Sequence, residues 1–174
     1  LMGMTRAFTA HIRLAGEDRT SAARDVVLAL EHLKTGGERL YGGVCYGAAL
    51  SLACADGVAT TDARVEEWLA RGTDLLASAV ISHNYLYFAL GAAPAALARR
   101  DIATLSSLLD HLRAFFRSEL RACPHGVASA VVAWVELHLE ALGVSTSEPM
   151  PERWTRVQAQ PLLARRAHTL GAHP

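Results

Sequence analysis

The sequence has no excess of charge of either sign and no long apolar run, and both absences exclude classes of partner. Seventeen basic residues balance seventeen acidic ones. This balance gives no electrostatic reason to expect binding to nucleic acid or to an anionic membrane. Apolar runs such as Val127 to Val135, which Ser129 interrupts, are too short to cross a bilayer. We therefore predict a protein that binds neither nucleic acid nor membrane.

Cysteines are few and have no pairing pattern. The three are Cys45, Cys54 and Cys123, an odd number without a CxxC motif. Cys45 and Cys54 fall on one predicted helix, at least two turns apart, which is too far for a disulfide. Such cysteines are typical of reduced, mostly buried thiols, and they predict a cytoplasmic protein.

Recognisable catalytic and metal-binding motifs are also missing. The sequence contains no GxSxG, no HExxH and no GxxxxGK[ST]. Glu136, His138 and Glu140 come closest to a metal site, but residues two apart on a helix point about 200° apart, so the histidine diverges from both acids. Glu136 and Glu140 share a face typical of a solvated helix edge. We therefore predict no metal, no cofactor and no enzymatic activity.

What the sequence does contain is a helix–turn–helix unit that recurs about every forty residues. Each unit is an alanine- and leucine-rich stretch, a short polar break and a second amphipathic stretch, and no segment has the sustained alternation of a strand. The prediction is an all-α fold, a stack of about four αα-hairpins in one domain, 1–174. The predicted hairpins span about 4–35, 38–80, 82–122 and 124–170. Because the sequence begins Leu1-Met2-Gly3-Met4 and not with an initiator methionine, it either carries the remnant of a tag or is a piece of a longer protein, and we favour the second.

Apolar spacing predicts which helix faces are buried. In the first helix the predicted inner stripe is Phe8, Ile12 and Ala15. In the second helix the predicted stripe is Ala23, Val26, Val27, Leu30 and Leu33, with Thr20 or Ser21 as the N-cap.

Glycine and proline mark two further features. The helix predicted from Glu38 to about Ala55 contains Gly42, Gly43 and Gly47, and small residues in a helix predict close approach of a neighbouring helix. Pro94 lies inside a predicted helix, where it predicts a kink or a break around Gly91 to Pro94.

Three segments resemble tetratricopeptide-like helical arrays. Gly37-Glu38-Arg39-Leu40-Tyr41 resembles their inter-repeat junction, and Ala98-Arg99-Arg100-Asp101-Ile102 resembles the turn between the two helices of a repeat. The run from Ile81 to Phe88 is similar to a stretch in C-terminal arrays of large bacterial ATPase and nucleotide-cyclase-like signalling proteins. The resemblance implies that the first helices of the pairs line a concave surface, and that exposed residues of the first helices of the second, third and fourth pairs face a partner.

The candidate binding residues are aromatic or polar side chains on these first helices. They are Tyr46, His83, Asn84, Tyr85 and Tyr87. His83 and Tyr87 lie one turn apart and share a face, where they can grip a peptide or a small polar ligand together, although His83 and Asn84 can equally serve to lock the stack.

Taken together, these features predict a non-catalytic scaffold for protein–protein or intramolecular contacts in a bacterial regulatory or signalling protein. The partner is a protein, a peptide or another domain of a parent chain, and the oligomeric state stays open. One alternative is a small-molecule-sensing domain with a pocket beside the first helix of the third pair. A second is a helical-bundle metalloenzyme that uses some of His83, His111 and His138.

Overall fold

A computed structural model describes residues 2–78, 84–118, Glu136, Leu139 and Gly143. Within these residues the chain forms six α-helices and no strand, which confirms the all-α prediction. The helices are α1 (Met2–Ala15), α2 (Arg19–Lys34), α3 (Glu38–Ala55), α4 (Ala63–Ala77), α5 (Asn84–Ala98) and α6 (Ile102–Ser118). The predicted fourth hairpin, about 124–170, lies outside the described residues except for Glu136, Leu139 and Gly143.

The chain divides into two compact units at Arg100 and Asp101, so that α1 to α5 belong to the first unit and α6 to the second. In the first unit α3 is the central helix, because it packs against α1, α2, α4 and α5. The other packed pairs are α1 with α2 and α4 with α5. Every residue of α3 from Gly42 to Ser51 is buried, as expected of a helix that is apolar on all sides.

Two glycines allow α3 and α5 to approach until their backbones touch. A Cβ atom placed on Gly47 would lie 2.8 Å from the Cα of Phe88. A Cβ atom placed on Gly91 would lie 2.9 Å from the carbonyl carbon of Gly47. The predicted close approach at a small-residue helix is thus confirmed at Gly47. The loss of helix propensity at each glycine is offset by dispersion contacts between the two backbones.

An aspartate caps the start of each of α2, α4 and α6. Asp18 accepts a hydrogen bond from the backbone N–H of Ser21 at 3.1 Å, and Asp62 accepts one from that of Arg64 at 2.9 Å. Asp101 accepts one from the backbone N–H of Thr104 at 3.0 Å. The cap of α2 is Asp18 and not the predicted Thr20 or Ser21. The helix begins two residues earlier than its apolar pattern, because a carboxylate satisfies its free N–H groups there.

The predicted inner faces are partly wrong. Ile12 is 72% exposed and Val27 is 55% exposed. The residues of α1 that are buried are instead small ones, Gly3, Ala7 and Ala10. The buried face of α2 includes Asp25, which no apolar pattern would place inside.

The predicted break at Pro94 does not occur, because α5 continues without interruption from Asn84 to Ala98. Proline removes one amide donor from the helix but leaves the remaining hydrogen bonds in place. Pro94 and the alanines around it are buried, so tertiary packing holds the helix together across the missing bond.

The second unit contains a correction to the predicted solvated edge at Glu136. This glutamate is only 5% exposed and receives a hydrogen bond from Arg113 Nη2 at 2.9 Å. Its partner lies on α6, 23 residues earlier in the chain. A buried carboxylate requires such a charged donor, and helical spacing around Glu136 cannot reveal one that comes from another helix.

Candidate functional site

An aromatic contact joins α1 to α5 across α3. The rings of Phe8 and Tyr87 meet edge to face with their centroids 4.7 Å apart, and the ring of His11 lies 5.3 Å from that of Tyr87. All three side chains are half-buried. Both helices also pack on α3.

Ile12 extends this aromatic contact into solvent. It follows Phe8 by one helical turn, so the two side chains lie on the same side of α1. At 72% exposure Ile12 is among the most exposed large apolar residues that the structure describes. We call Phe8, His11, Ile12 and Tyr87 the α1–α5 surface.

The predicted binding residues fall into four situations. Tyr87 belongs to the α1–α5 surface. Asn84 and Tyr85 form the start of α5, and His83 lies outside the described residues. Tyr46 is only 3% exposed, so a partner reaches its ring only after neighbouring side chains have moved.

The surroundings of Tyr46 explain why it is buried. Its hydroxyl donates a short hydrogen bond to Glu38, and the guanidinium of Arg71 lies over its ring at 5.6 Å. Arg71 Nη2 also pairs with Glu38 Oε1 at 2.7 Å, which ties α4 to the start of α3. Burial and the bond to Glu38 raise the pKa of the Tyr46 hydroxyl, so it stays a donor. This group is therefore a structural tie between two helices.

The expectation that the first helix of the second pair presents partner-facing residues also changes. The stretch of α3 from Gly42 to Ser51 is buried on every side, since four other helices surround it. The start of α3 is exposed, with Leu40 at 75%, and α1 presents a partly open apolar face around Phe8 and Ile12. The signal for this was absent from the sequence, because Phe8 and Tyr87 are far apart in the chain and only the fold brings them together.

A second group that sequence reasoning missed lies between α1 and α2. Asp25 is fully buried, and its carboxylate is held by Arg6 Nη1 at 2.9 Å and by Arg13 Nε at 3.3 Å. The two arginine side chains are 45% and 36% exposed, so each guanidinium keeps contact with water. The two arginines lie seven residues apart on α1 and so share a face. This spacing was the signal in the sequence from which a common acidic partner could have been predicted.

Among the described residues, no group of three or more histidine, cysteine, aspartate or glutamate side chains converges as a metal ion would require. His111 Nδ1 lies 2.7 Å from the carbonyl oxygen of Ser107 in its own helix, and His83 and His138 lie outside the described residues. Burial raises the pKa of the Cys45 thiol to about 12, so this thiol is protonated and unreactive at neutral pH.

The Glu38 carboxylate makes a pH-dependent contribution to stability. The hydrogen bond from Tyr46 and the pairing with Arg71 hold the pKa of Glu38 below its ordinary value of 4.5. A carboxyl whose pKa is lowered by folding stabilises the fold above its unfolded pKa and loses that effect as the pH falls through its folded pKa. We expect Glu38→Gln to lower the free energy of unfolding by about 1 kcal/mol or less at about pH 6, since the carboxylate is partly exposed.

The difference in the free energy of unfolding between wild type and Glu38→Gln should shrink as the pH is lowered below 4.5. Urea denaturation across a pH series measures this difference. Glu67→Gln is the matched control, because Glu67 pairs with the same arginine at 3.3 Å and is 59% exposed. A difference for Glu38→Gln that grows as the pH falls would contradict the assigned role of this carboxylate.

In the part of the chain that the structure describes, no helix combines the length and the apolar character needed to cross a bilayer. Comparisons with protein-family models, with curated proteins and with solved structures gave no match.

Proposed function

We propose that this protein is a non-catalytic interaction scaffold, built as a stack of αα-hairpins similar to tetratricopeptide-like arrays. The packing order of the first unit carries this proposal. The helix α3 packs on α1 and α2, which precede it, and on α4 and α5, which follow it. Contact with both the preceding pair and the following helices is the arrangement expected when neighbouring hairpins share one continuous core.

Repeated turn chemistry supports the same proposal. A residue with a left-handed backbone follows each of α1, α3 and α5, namely Glu17 (φ 63°), Gly57 (φ 73°) and Arg100 (φ 55°). Their spacing is close to the period of about forty residues that the sequence predicts. In each case an aspartate N-cap opens the next helix within a few residues.

The surface that serves the proposed scaffold is the α1–α5 surface. It combines an exposed aliphatic side chain with two half-buried aromatic rings, a composition typical of the anchoring part of a protein interface. The partner is a protein or peptide, or another domain of a parent chain, and it contributes apolar side chains that cover Ile12. The wider setting in this proposal is a cytoplasmic regulatory or signalling protein of bacteria, in keeping with the resemblance of the Ile81 to Phe88 segment.

A peptide library displayed on phage and selected on the whole chain tests the proposal. Selected peptides are then measured against Ile12→Asp and against Val27→Asp. Both positions are exposed, at 72% and 55%, so neither aspartate is expected to disturb the fold. We expect Ile12→Asp to weaken binding by about tenfold or more, because it places a charge at the centre of the apolar surface.

Val27→Asp, the matched control on α2, should leave the affinity of the selected peptides within about a factor of two, which is the size of an ordinary surface substitution. Selected peptides that lose affinity equally with both variants would contradict the proposal. A selection that yields no binder at all would contradict it as well.

A further inference from the structure

The helix α1 lies in a groove whose chemistry is specific for it. The groove is formed by α2, α3 and α5, and its contacts to α1 come from Asp25, His32, Tyr41, Cys45 and Tyr87. We call these residues the α1 groove. They recognise three features of α1, which are its small residues, its two arginines and its aromatic ring.

Small residues set the depth at which α1 sits. The residues of α1 that are buried are Gly3, Ala7 and Ala10. A Cβ atom placed on Gly3 would lie 2.9 Å both from the Cβ of His32 and from the ring of Tyr41, so the backbone of α1 approaches α2 and α3 closely. The thiol of Cys45 on α3 is directed at the carbonyl oxygen of Gly3, 3.8 Å away. Few apolar atoms are buried by α1 itself, because alanine and glycine have little side chain to bury.

Charge supplies the specificity that small residues lack. The carboxylate of Asp25 is fully buried between α1 and α2, and Arg6 and Arg13 of α1 both reach it. When α1 leaves the groove, Asp25 gains water and the two arginines, already partly exposed, are fully solvated. Departure of α1 therefore leaves no charge buried without a partner, which is the usual obstacle to separating a buried ion pair.

The connection that holds α1 in place is short and strained. The residues Gly16 to Asp18 join α1 to α2, and Glu17 adopts a left-handed backbone with φ of 63°. This conformation is unfavourable for a residue with a side chain. Short hinge segments under strain favour the exchange of an element between two identical chains, since the same contacts then form in trans.

We propose that the α1 groove accepts α1 from a second copy of this chain, so that two copies exchange their first helices. This inference goes beyond the proposed function, because it concerns the contacts beneath α1 and not the exposed Ile12. The second copy is the occupant, because its α1 provides the small residues, the arginine pair and the phenylalanine that the groove already holds.

A charge-reversal experiment with two whole-chain variants tests the exchange. One variant carries Arg6→Glu and Arg13→Glu, and the other carries Asp25→Lys. Each variant alone brings like charges together when α1 occupies its own groove. A mixture restores opposite charges in both grooves, but only when α1 crosses to the other copy. The expected result is a mixed dimer of twice the 18.7 kDa mass of the chain by light scattering, with each variant monomeric on its own.

A matched control uses the ion pair between α3 and α4. Arg71→Glu mixed with Glu38→Lys reverses a pair of similar length, 2.7 Å, that exchange of α1 does not restore. Both control variants keep the wild-type α1 and Asp25, so each can exchange α1 on its own, and mixing them should leave the mass by light scattering unchanged. A charge-reversed α1 mixture that stays monomeric overturns the proposal, and so does a control mixture whose mass differs from that of its separate variants.

A peptide measurement decides the matter if Asp25→Lys does not fold. A labelled peptide with the sequence of residues 2–15 is titrated into the chain that carries Arg6→Glu and Arg13→Glu, whose own α1 is repelled by Asp25. We expect it to bind at least tenfold more tightly than the same peptide with Ala7→Leu, which is too large for the groove. Equal binding of both peptides, or no binding, overturns the proposal. Either failure leaves the separate comparison of Ile12→Asp with Val27→Asp unaffected, so the two proposals can fail independently.

Discussion

Gly47→Ala is expected to lower the free energy of unfolding by about 3 kcal/mol or more, a large part of the stability of an ordinary domain. The added methyl would lie 2.7 Å from the carbonyl carbon of Tyr87 and 2.8 Å from the Cα of Phe88. Both atoms belong to the backbone of α5, which cannot rotate away as a side chain can. The two helices must separate, and the loss of packing spreads along the whole contact. Urea denaturation followed by circular dichroism measures the change.

Gly91→Ala is expected to have an effect of the same size, since its methyl would meet the backbone of Gly47 and Ser51 on the opposite helix. Gly16→Ala is the matched control. An added methyl at Gly16 would be 3.6 Å from the nearest atom, which is ordinary contact, and its backbone has no positive φ. We expect Gly16→Ala to change stability by about 0.5 kcal/mol or less. Equal effects of Gly47→Ala and Gly16→Ala would show that α3 and α5 do not touch through their backbones.

Phe88→Ala should cost about 3 to 5 kcal/mol of unfolding free energy, because the ring of Phe88 is fully buried between α4 and α5. The ring rests on Gly72 of α4, where a Cβ atom would lie 2.7 Å from Phe88 Cδ2. Gly72→Ala in the wild-type chain is therefore expected to destabilise by about 1 to 3 kcal/mol through overpacking.

A double-mutant cycle separates this contact from general damage to the core. In the Phe88→Ala background, Gly72→Ala should be close to neutral or stabilising, because its methyl enters the cavity that the ring has left. Alanine also has a higher helix propensity than glycine, which adds to the stability of the double variant. Additive effects of the two substitutions would contradict direct contact between Phe88 and Gly72.

Local sequence signals predicted the helices and several of their ends. The helix predicted from Glu38 to about Ala55 is α3 with those bounds. These features depend on residues within one or two turns of each other, which a single sequence contains in full. The close approach at Gly47 was predictable for a related reason. Glycine inside a long helix lowers helix propensity, and a neighbouring helix that packs closely against it offsets this loss.

Burial of charge was not predictable, because it depends on partners from other helices. Asp25 is inside the fold because Arg6 and Arg13 reach it from α1, and Glu136 is inside because Arg113 reaches it from α6. Each pairing spans a dozen or more residues of chain. Apolar periodicity assigns every carboxylate to the exposed face of a helix. It therefore placed Val27 on the buried face of α2 and left Asp25 out of it, whereas Asp25 is buried and Val27 is exposed.

The candidate site was half predictable for the same reason. Tyr87 stands out in the sequence as an aromatic residue on a first helix, but its neighbours Phe8 and His11 come from α1. Tyr46 looked equally suitable as an exposed anchor. The hydrogen bond to Glu38 and the stacking of Arg71 put it inside, and both depend on where α4 packs.

The tight fit of α3 and α5 constrains how this protein can diverge from its relatives. Where two backbones touch, selection acts on side-chain size alone, and at Gly47 and Gly91 only glycine leaves enough room. Exposed positions on α2 and α4 are under still weaker constraint, since ordinary surface substitutions change stability little. Distant relatives should therefore share the spacing of their smallest residues more than the identities of any others.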